Sequence, residues 1–315
     1  MSESIETTPP TGRPDFDTRI REAQPVIDMS PQRSGAPLGP ESLTWKFFGD
    51  VRGILGFQRA AGTENCIEQL GQGVLDHSVI FDDFIGRAKR TGPPIMKTVY
   101  GADDTDWGHT VRDFHRDIKG TISDGSRYHA LNPELYYWAH ATFVETLIFV
   151  TDTFIRRLSY AEKCQIFDES KTWYARYGIS ARDQPATYDE FCDYFDSMCQ
   201  RFVPHKTVVY ATGYIRKGVP RPRRIPAPVW AVLSAPLNEF IRTVIVGTVP
   251  QEMRDVCDLP WNAKRQKRFD RFAAAMRLAN PLFHRLPLAV LYTPWAHEAW
   301  VAAGVDPRRL HNRTT

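Results

Sequence analysis

Arg112, His115 and His140 are side chains of types that do chemistry. They stand within one thirty-residue stretch, VRDFHRDIKGTISDGSRYHALNPELYYWAH, at residues 111–140. Arg112 and His115 are three residues apart, so on a helix they share a face. His140 falls in the first half of a strongly apolar segment, and an imidazole there needs a partner for its ring nitrogens. A haem iron is one such partner and a plain hydrogen bond is another. A neutral imidazole supplies the axial bond to haem iron. Aromatic neighbours exclude water, and an arginine on the opposite side stabilises an anionic oxygen species. Histidines that bind no metal are common on surfaces and in cores, so spacing alone leaves both readings open.

The elements that must position these residues read as helices. Thr105 or Asp106 caps a helix expected to run to Ile118, with Gly120 ending it. Its apolar face carries Val111, Phe114 and Ile118, and His115 lies in that stripe. Asn132 followed by Pro133 is a helix start. The helix it opens is expected to reach about Arg157, with Tyr136, Tyr137, His140, Phe143, Val144, Leu147 and Thr151 in its stripe. Ser159 with Glu162, and Thr187 with Glu190, have capping-box spacing. They open helices expected to run to about Tyr177 and Phe202. Upstream, Cys66, Ile67, Leu70, Val74 and His77 recur at helical spacing over Thr63–Ser78, and a further apolar segment covers Ile80–Ala88. RKGVPRPRRIPAP, residues 216–228, reads as a basic loop. After it, prolines 228, 236, 250, 260, 281, 287 and 294 cut the helical pattern into short pieces. Few β-branched runs alternate with polar residues. The fold class expected is all-α, a compact single multi-helix domain over residues 41–300. It is flanked by a flexible polar tail at 1–40, with order from about Ser42, and a C-terminal tail at 301–315.

Bulk properties narrow the chemistry. A chain of 315 residues with 42 % hydrophobic residues has material for a large core. Lys plus Arg is 40 against 37 for Asp plus Glu, a formal charge of +3, so nucleic acid is not an expected partner. Cys66, Cys164, Cys192, Cys199 and Cys257 form no C-x-x-C pair and read as reduced thiols. The first residues lack the pattern of a signal peptide, so a cytoplasmic location is expected. Glu145 and Asp152 interrupt the apolar run Ala141–Phe154. Asn238, Glu239 and Arg242 interrupt Ile225–Pro250. Neither run is read as a membrane span, although peripheral contact with a membrane stays open. There is no H-E-x-x-H, no Glu-x-x-His pair, no phosphate-binding glycine loop and no G-x-S-x-G elbow.

The segments HRDIKG at 115–120, DGSRYHALNP at 124–133 and WAHATF at 138–143 resemble the domain shared by MpaB-type oxygenases and latex clearing proteins, the rubber oxygenases. LDHS at 75–78 and the FDES-KTWYARYG stretch at 167–178 extend the resemblance to roughly residues 42–300. It implies an all-helical fold with haem b on one proximal histidine, a role carried onto His140 as the iron ligand. Arg112 matches the arginine on the oxygen-binding side. The implied partners are dioxygen, an apolar small-molecule substrate and an electron donor. Rubber oxygenases carry lysine and threonine just after that arginine, where this chain has His115 and Arg116. His115 therefore either hydrogen-bonds bound oxygen or binds the iron as a sixth ligand. The resulting expectation is an oxygenase or oxidase acting on an intracellular lipid or isoprenoid-like molecule rather than polyisoprene. The alternative is a non-catalytic haem or apolar-ligand protein with bis-histidine ligation.

Trp138, Phe143 and His77 are further candidates for the cofactor pocket, His77 with a structural role as its alternative. Arg112 has Asp113, Asp117 or a haem propionate as candidate partners. Glu145, a carboxylate among Phe143, Leu147 and Ile148, is expected to be half of a salt bridge, with catalytic base as the alternative. His129 is expected in a loop, and the basic loop is expected to be solvated.

Overall fold

A computed structural model describes residues 35–78, 84–101, 105–181 and 184–313. Ala36, within the expected tail, already bonds Asp168 and Thr172, and the Ser42 hydroxyl accepts from Trp45 N and caps α1, Leu43–Phe48. The expected N-terminal tail lies almost wholly outside the described residues, as does part of Ile80–Ala88. A 3-10 turn, Val51–Gly56, leads into α2, Phe57–Asn65, and α3, Glu68–His77. The single helical run expected over Thr63–Ser78 is thus broken at Cys66 and Ile67. The Cys66 carbonyl oxygen accepts from Val203 N at 2.8 Å, so that acceptor serves another segment. Helix α4 spans Phe84–Tyr100, and α5 spans Trp107–Asp113.

Two expectations around α5 fail together. The helix ends at Asp113 instead of Ile118, and Phe114, placed on its apolar face by periodicity, is 62 % exposed. Residues 114–117 form a turn, and Gly120 sits in a hairpin of β1, Lys119–Thr121, and β2, Arg127–His129. Lys119 pairs with His129 and Thr121 with Arg127. Gly125, at φ 86°, closes the turn in a conformation open to glycine. His129 is therefore a strand residue, and its Nδ1 accepts from Leu131 N.

The central element is α6, Pro133–Val150, opened by Asn132, whose side chain accepts from Glu134 N. It is apolar nearly all round, which suits burial on every side. Helix α2 packs on one side of it and α7, Tyr160–Ala175, on another. A π-helical turn, Thr151–Ile155, ends the run close to where the pattern placed it. The Ser159–Glu162 capping box at the head of α7 is complete. At α8, Tyr188–Cys199, only half the box forms: Thr187 accepts from Glu190 N, while the Glu190 carboxylate accepts from Ala186 N.

After α9, Lys206–Ala211, and α10, Gly213–Lys217, the basic loop leads into α11, Ala227–Phe240. A π-turn and one further helical turn continue α11, so Ala227–Thr248 is one helix of 22 residues, by length and composition sufficient to cross a membrane. The polar residues expected to disqualify it are satisfied within the protein. Asn238 accepts from Val219 N, Glu239 pairs with Arg268, and Arg242 donates to the carbonyls of Ile215 and Arg216. Prolines then punctuate α12, Gln251–Val256, α13, Ala263–Leu278, two single turns, and α14, Pro294–Ala303. The residues expected as a tail beyond 300 complete α14, and Val305 and Leu310 pack on the core. Apart from the one hairpin and isolated bridges, the described structure is helical, so the all-α class holds.

Two segments distant in sequence hold α1. The buried Glu169 carboxylate of α7 accepts from Leu43 N at 3.0 Å and from Thr44 N and Oγ1 at 2.7 Å each. From the other segment, Tyr292 donates to the Lys46 carbonyl, Thr293 N donates to Gly49 O, and Trp300 packs edge-on to Trp45. The five cysteines are free thiols, as expected.

Candidate functional site

His140 is 3 % exposed on the face of α6 that meets α7. Rings surround it: Trp173 at 4.8 Å, Tyr174 at 5.1 Å, Tyr177 at 6.0 Å and Tyr137 at 6.1 Å between centroids. Its Nε2 lies 3.2 Å from the Ser170 carbonyl oxygen. A carbonyl only accepts, so Nε2 carries the proton and Nδ1 presents a lone pair. That Nδ1 has no hydrogen-bond partner, and neither does the buried Tyr174 hydroxyl beside it. A buried polar atom left unmatched costs about 1–3 kcal/mol and is rare in folded proteins. Burial lowers the His140 pKa to about 3, partly offset by the Ser170 bond, so the ring is neutral near pH 7.

Arg112 on α5 and His115 in the turn after it reach this cluster through Tyr136. His115 donates from Nδ1 to the Val111 carbonyl at 2.8 Å, and its ring meets Tyr136 edge-on at 5.7 Å. Tyr136 in turn meets Tyr177 at 5.3 Å and Tyr174 at 6.2 Å, both of which touch His140. The two imidazoles therefore lie at opposite ends of a short chain of tyrosine rings. Arg112 is buried, and its Nε donates to Asp113 at 2.8 Å, the first of the candidate partners. That bond holds the Asp113 carboxyl below the ordinary range. Burial raises the Tyr136 phenol well above its usual pKa, and the Arg112 charge works in the opposite direction.

Two glycines fix the position of Arg112. A Cβ on Gly108 would stand 2.0 Å from the Arg176 carbonyl oxygen, so α5 approaches the end of α7 only because it has none. Gly178, at φ 65°, turns the chain after Tyr177, and a Cβ there would crowd Arg112 and His109 at 3.1 Å. Arg176 completes the junction by donating to Thr98 O and Val99 O of α4.

The other expected residues divide. Phe143 packs on Trp173 at the edge of the cluster. Trp138 is fully buried but turns toward Phe195 and Phe202. Its neighbour Tyr194 also contacts Tyr137, and through Tyr137 reaches His140. His77 does not join them: it is exposed at the end of α3 and donates from Nε2 to the Lys119 carbonyl, so the pocket role considered for it gives way to a structural one. Glu145 is held by Arg59 in a two-pronged pair at 2.5 Å, the salt bridge expected of it. Spacing arguments did not reach Trp173, Tyr174 and Tyr177, although WYARY is dense in aromatic residues. The Ser170 carbonyl had no sequence signal at all.

The donor set suits an axial imidazole. Among the described residues no group of three or more His, Cys, Asp or Glu is arranged to hold a metal ion. A haem needs one imidazole from the protein on its proximal side. A ligating histidine usually donates its other N–H to a carbonyl or carboxylate, and the Ser170 oxygen stands in that place. The unmatched Nδ1 is what would then face the iron.

The chain matches the family described as ER-bound oxygenase mpaB/B′ and rubber oxygenase, catalytic domain, over residues 45–278. The match covers well over half of the sequence, and the protein belongs to this family of oxygenase catalytic domains. It is similar to two mycobacterial proteins, uncharacterized protein Rv2237 of Mycobacterium tuberculosis and uncharacterized protein Mb2261 of Mycobacterium bovis. Each is 23 % identical over 238 residues, covering 74 % of this chain and 86 % of the relative. No solved structure matches.

Proposed function

We infer that the protein is a haem b-dependent oxygenase that uses dioxygen to oxidise an apolar small molecule of lipid or isoprenoid type. The observation that carries this reading is the buried, neutral His140 with an unmatched Nδ1, held through Ser170, in a chain of the oxygenase family. Haem bound there supplies the redox chemistry that activates dioxygen. The chain's own residues do the rest. Ser170 fixes which ring nitrogen of His140 carries the proton. Tyr137, Trp173, Tyr174 and Tyr177 keep water from the imidazole. Arg112, pinned by Asp113 and by the glycine junction, holds a positive charge beside Tyr136 and would favour negative charge developing on that side. His115, fixed to Val111 O, belongs to the same wall. Electrons come from a separate donor, and the cytoplasm is the compartment proposed.

The visible spectrum of protein expressed with added haem precursor tests this. A stoichiometric Soret band that disappears in a folded His140→Ala variant is the expected result. Well-folded wild-type protein with no band, or a His140→Ala variant with an undiminished one, refutes the assignment.

A further inference from the structure

Helix α11 is built inside out. Its half-buried or buried positions Trp230, Ser234, Asn238 and Glu239, continued by Ile241 in the following turn, form the stripe that faces the protein. Three of those five are polar. The apolar side chains point away: Val229 is 47 %, Val232 74 % and Leu233 54 % exposed, and Leu237 and Phe240 are exposed too. No charged residue lies between Ile225 and Asn238. A continuous apolar surface of this kind on a helix marks a contact with something apolar.

Charge says what that contact is. From Ser197 to Asn238 the chain has no Asp or Glu and seven Lys or Arg, in a protein whose formal charge is only +3. Lys217, Arg221, Arg223 and Arg224 are exposed in and beside the loop that enters α11. The first acid after the helix surface, Glu239, is already paired with Arg268 and Arg265. An apolar helix with unopposed cations at its mouth complements the acyl chains and headgroups of an anionic bilayer. A second protein copy would bring the same positive charge to the contact.

The burial of its far end suits a helix lying on a membrane rather than crossing one. Its 22 residues extend about 33 Å, near the thickness of a hydrocarbon core. Yet Thr243, Val244, Val246 and Thr248 at its far end are buried in the protein. Arg242 is tied to the carbonyls of Ile215 and Arg216. Only the first 14 residues, about 21 Å, are available to lipid.

We propose that α11 and the 217–224 loop form a monotopic docking surface for membranes rich in anionic lipid. This is independent of the haem assignment. Co-sedimentation with equimolar phosphatidylglycerol–phosphatidylcholine vesicles, and with phosphatidylcholine alone, tests it. The wild-type protein is expected to bind the anionic vesicles. Binding is expected to fall at least about tenfold on neutral vesicles, and by as much in a Val232→Asp/Leu233→Asp variant. An Arg223→Ser/Arg224→Ser variant is expected to lose affinity and part of the salt dependence. All of these side chains are exposed, so circular dichroism should show each variant folded. Wild-type protein left in the supernatant overturns the proposal, as does undiminished binding by Val232→Asp/Leu233→Asp. A concentration-dependent dimer that the same variant dissolves, without vesicle binding, assigns the face to a second copy instead.

Discussion

His140 donates its Nε2 proton to the carbonyl of Ser170, thirty residues further along the chain, and so turns an unmatched Nδ1 into the aromatic core. The ring pays for its burial in acid. Its folded pKa is about 3 against an ordinary 6.5, so between those values the unfolded chain binds a proton that the folded one refuses. Stability is therefore lost as pH falls through that window, by about 2 kcal/mol between pH 7 and pH 5 from this group. Urea unfolding of haem-free wild type and His140→Leu at the two pH values measures it. The variant is expected to lose about 2 kcal/mol less, and equal losses would mean the ring titrates normally.

Arg59 and Glu145 form a largely buried pair, and Arg59 also donates to Thr248 O and stacks on Phe149. Removing one partner strands the other charge. Glu145→Leu is expected to cost about 3–5 kcal/mol in denaturant unfolding, and adding Arg59→Met should recover most of that loss. A mild effect of the single change would argue that the pair is solvated.

The Gly108 contact with Arg176 leaves no room for a methyl group. Gly108→Ala is expected to destabilise by about 1–3 kcal/mol. Gly213→Ala, with nothing within 4 Å of its would-be Cβ, should be neutral in the same assay. Similar behaviour of the two variants would show that α5 sits farther from α7.

His115 is bonded to Val111 O and separated from His140 by tyrosine rings. In haem-loaded protein His115→Ala should leave the iron spin state unchanged. Arg112→Met should slow oxygen consumption by about a hundredfold. A low-spin to high-spin change on removing His115 would instead establish bis-histidine ligation.

What the sequence disclosed was local. Asn132 with Pro133, and Ser159 with Glu162, carry their capping chemistry in residue type, and both starts are where that chemistry puts them. His140 on an apolar helix was legible for the same reason. Periodicity misled where the backbone left the helix. His115 and Phe114 keep helical spacing, but the chain has already turned toward a hairpin whose Asp124–Gly125 turn was the overlooked signal. His77 keeps the stripe's spacing across a break at Cys66, and a carbonyl from β1 takes its proton. The partners of His140 and Glu145 lie 30 and 86 residues away, and a backbone oxygen such as that of Ser170 has no signature in the alphabet of side chains.

The hold of α7 and of the 292–300 segment on α1 also bears on how the protein is made. As the chain leaves the ribosome, Leu43 and Thr44 wait for Glu169, and Lys46 and Gly49 wait for Tyr292 and Thr293. Contacts of such long sequence separation slow folding. Helix α1 is thus secured only after residues far downstream have been made. Replacing Tyr292 or Glu169, which act on α1 from far downstream, is thus expected to loosen a helix made long before either of them.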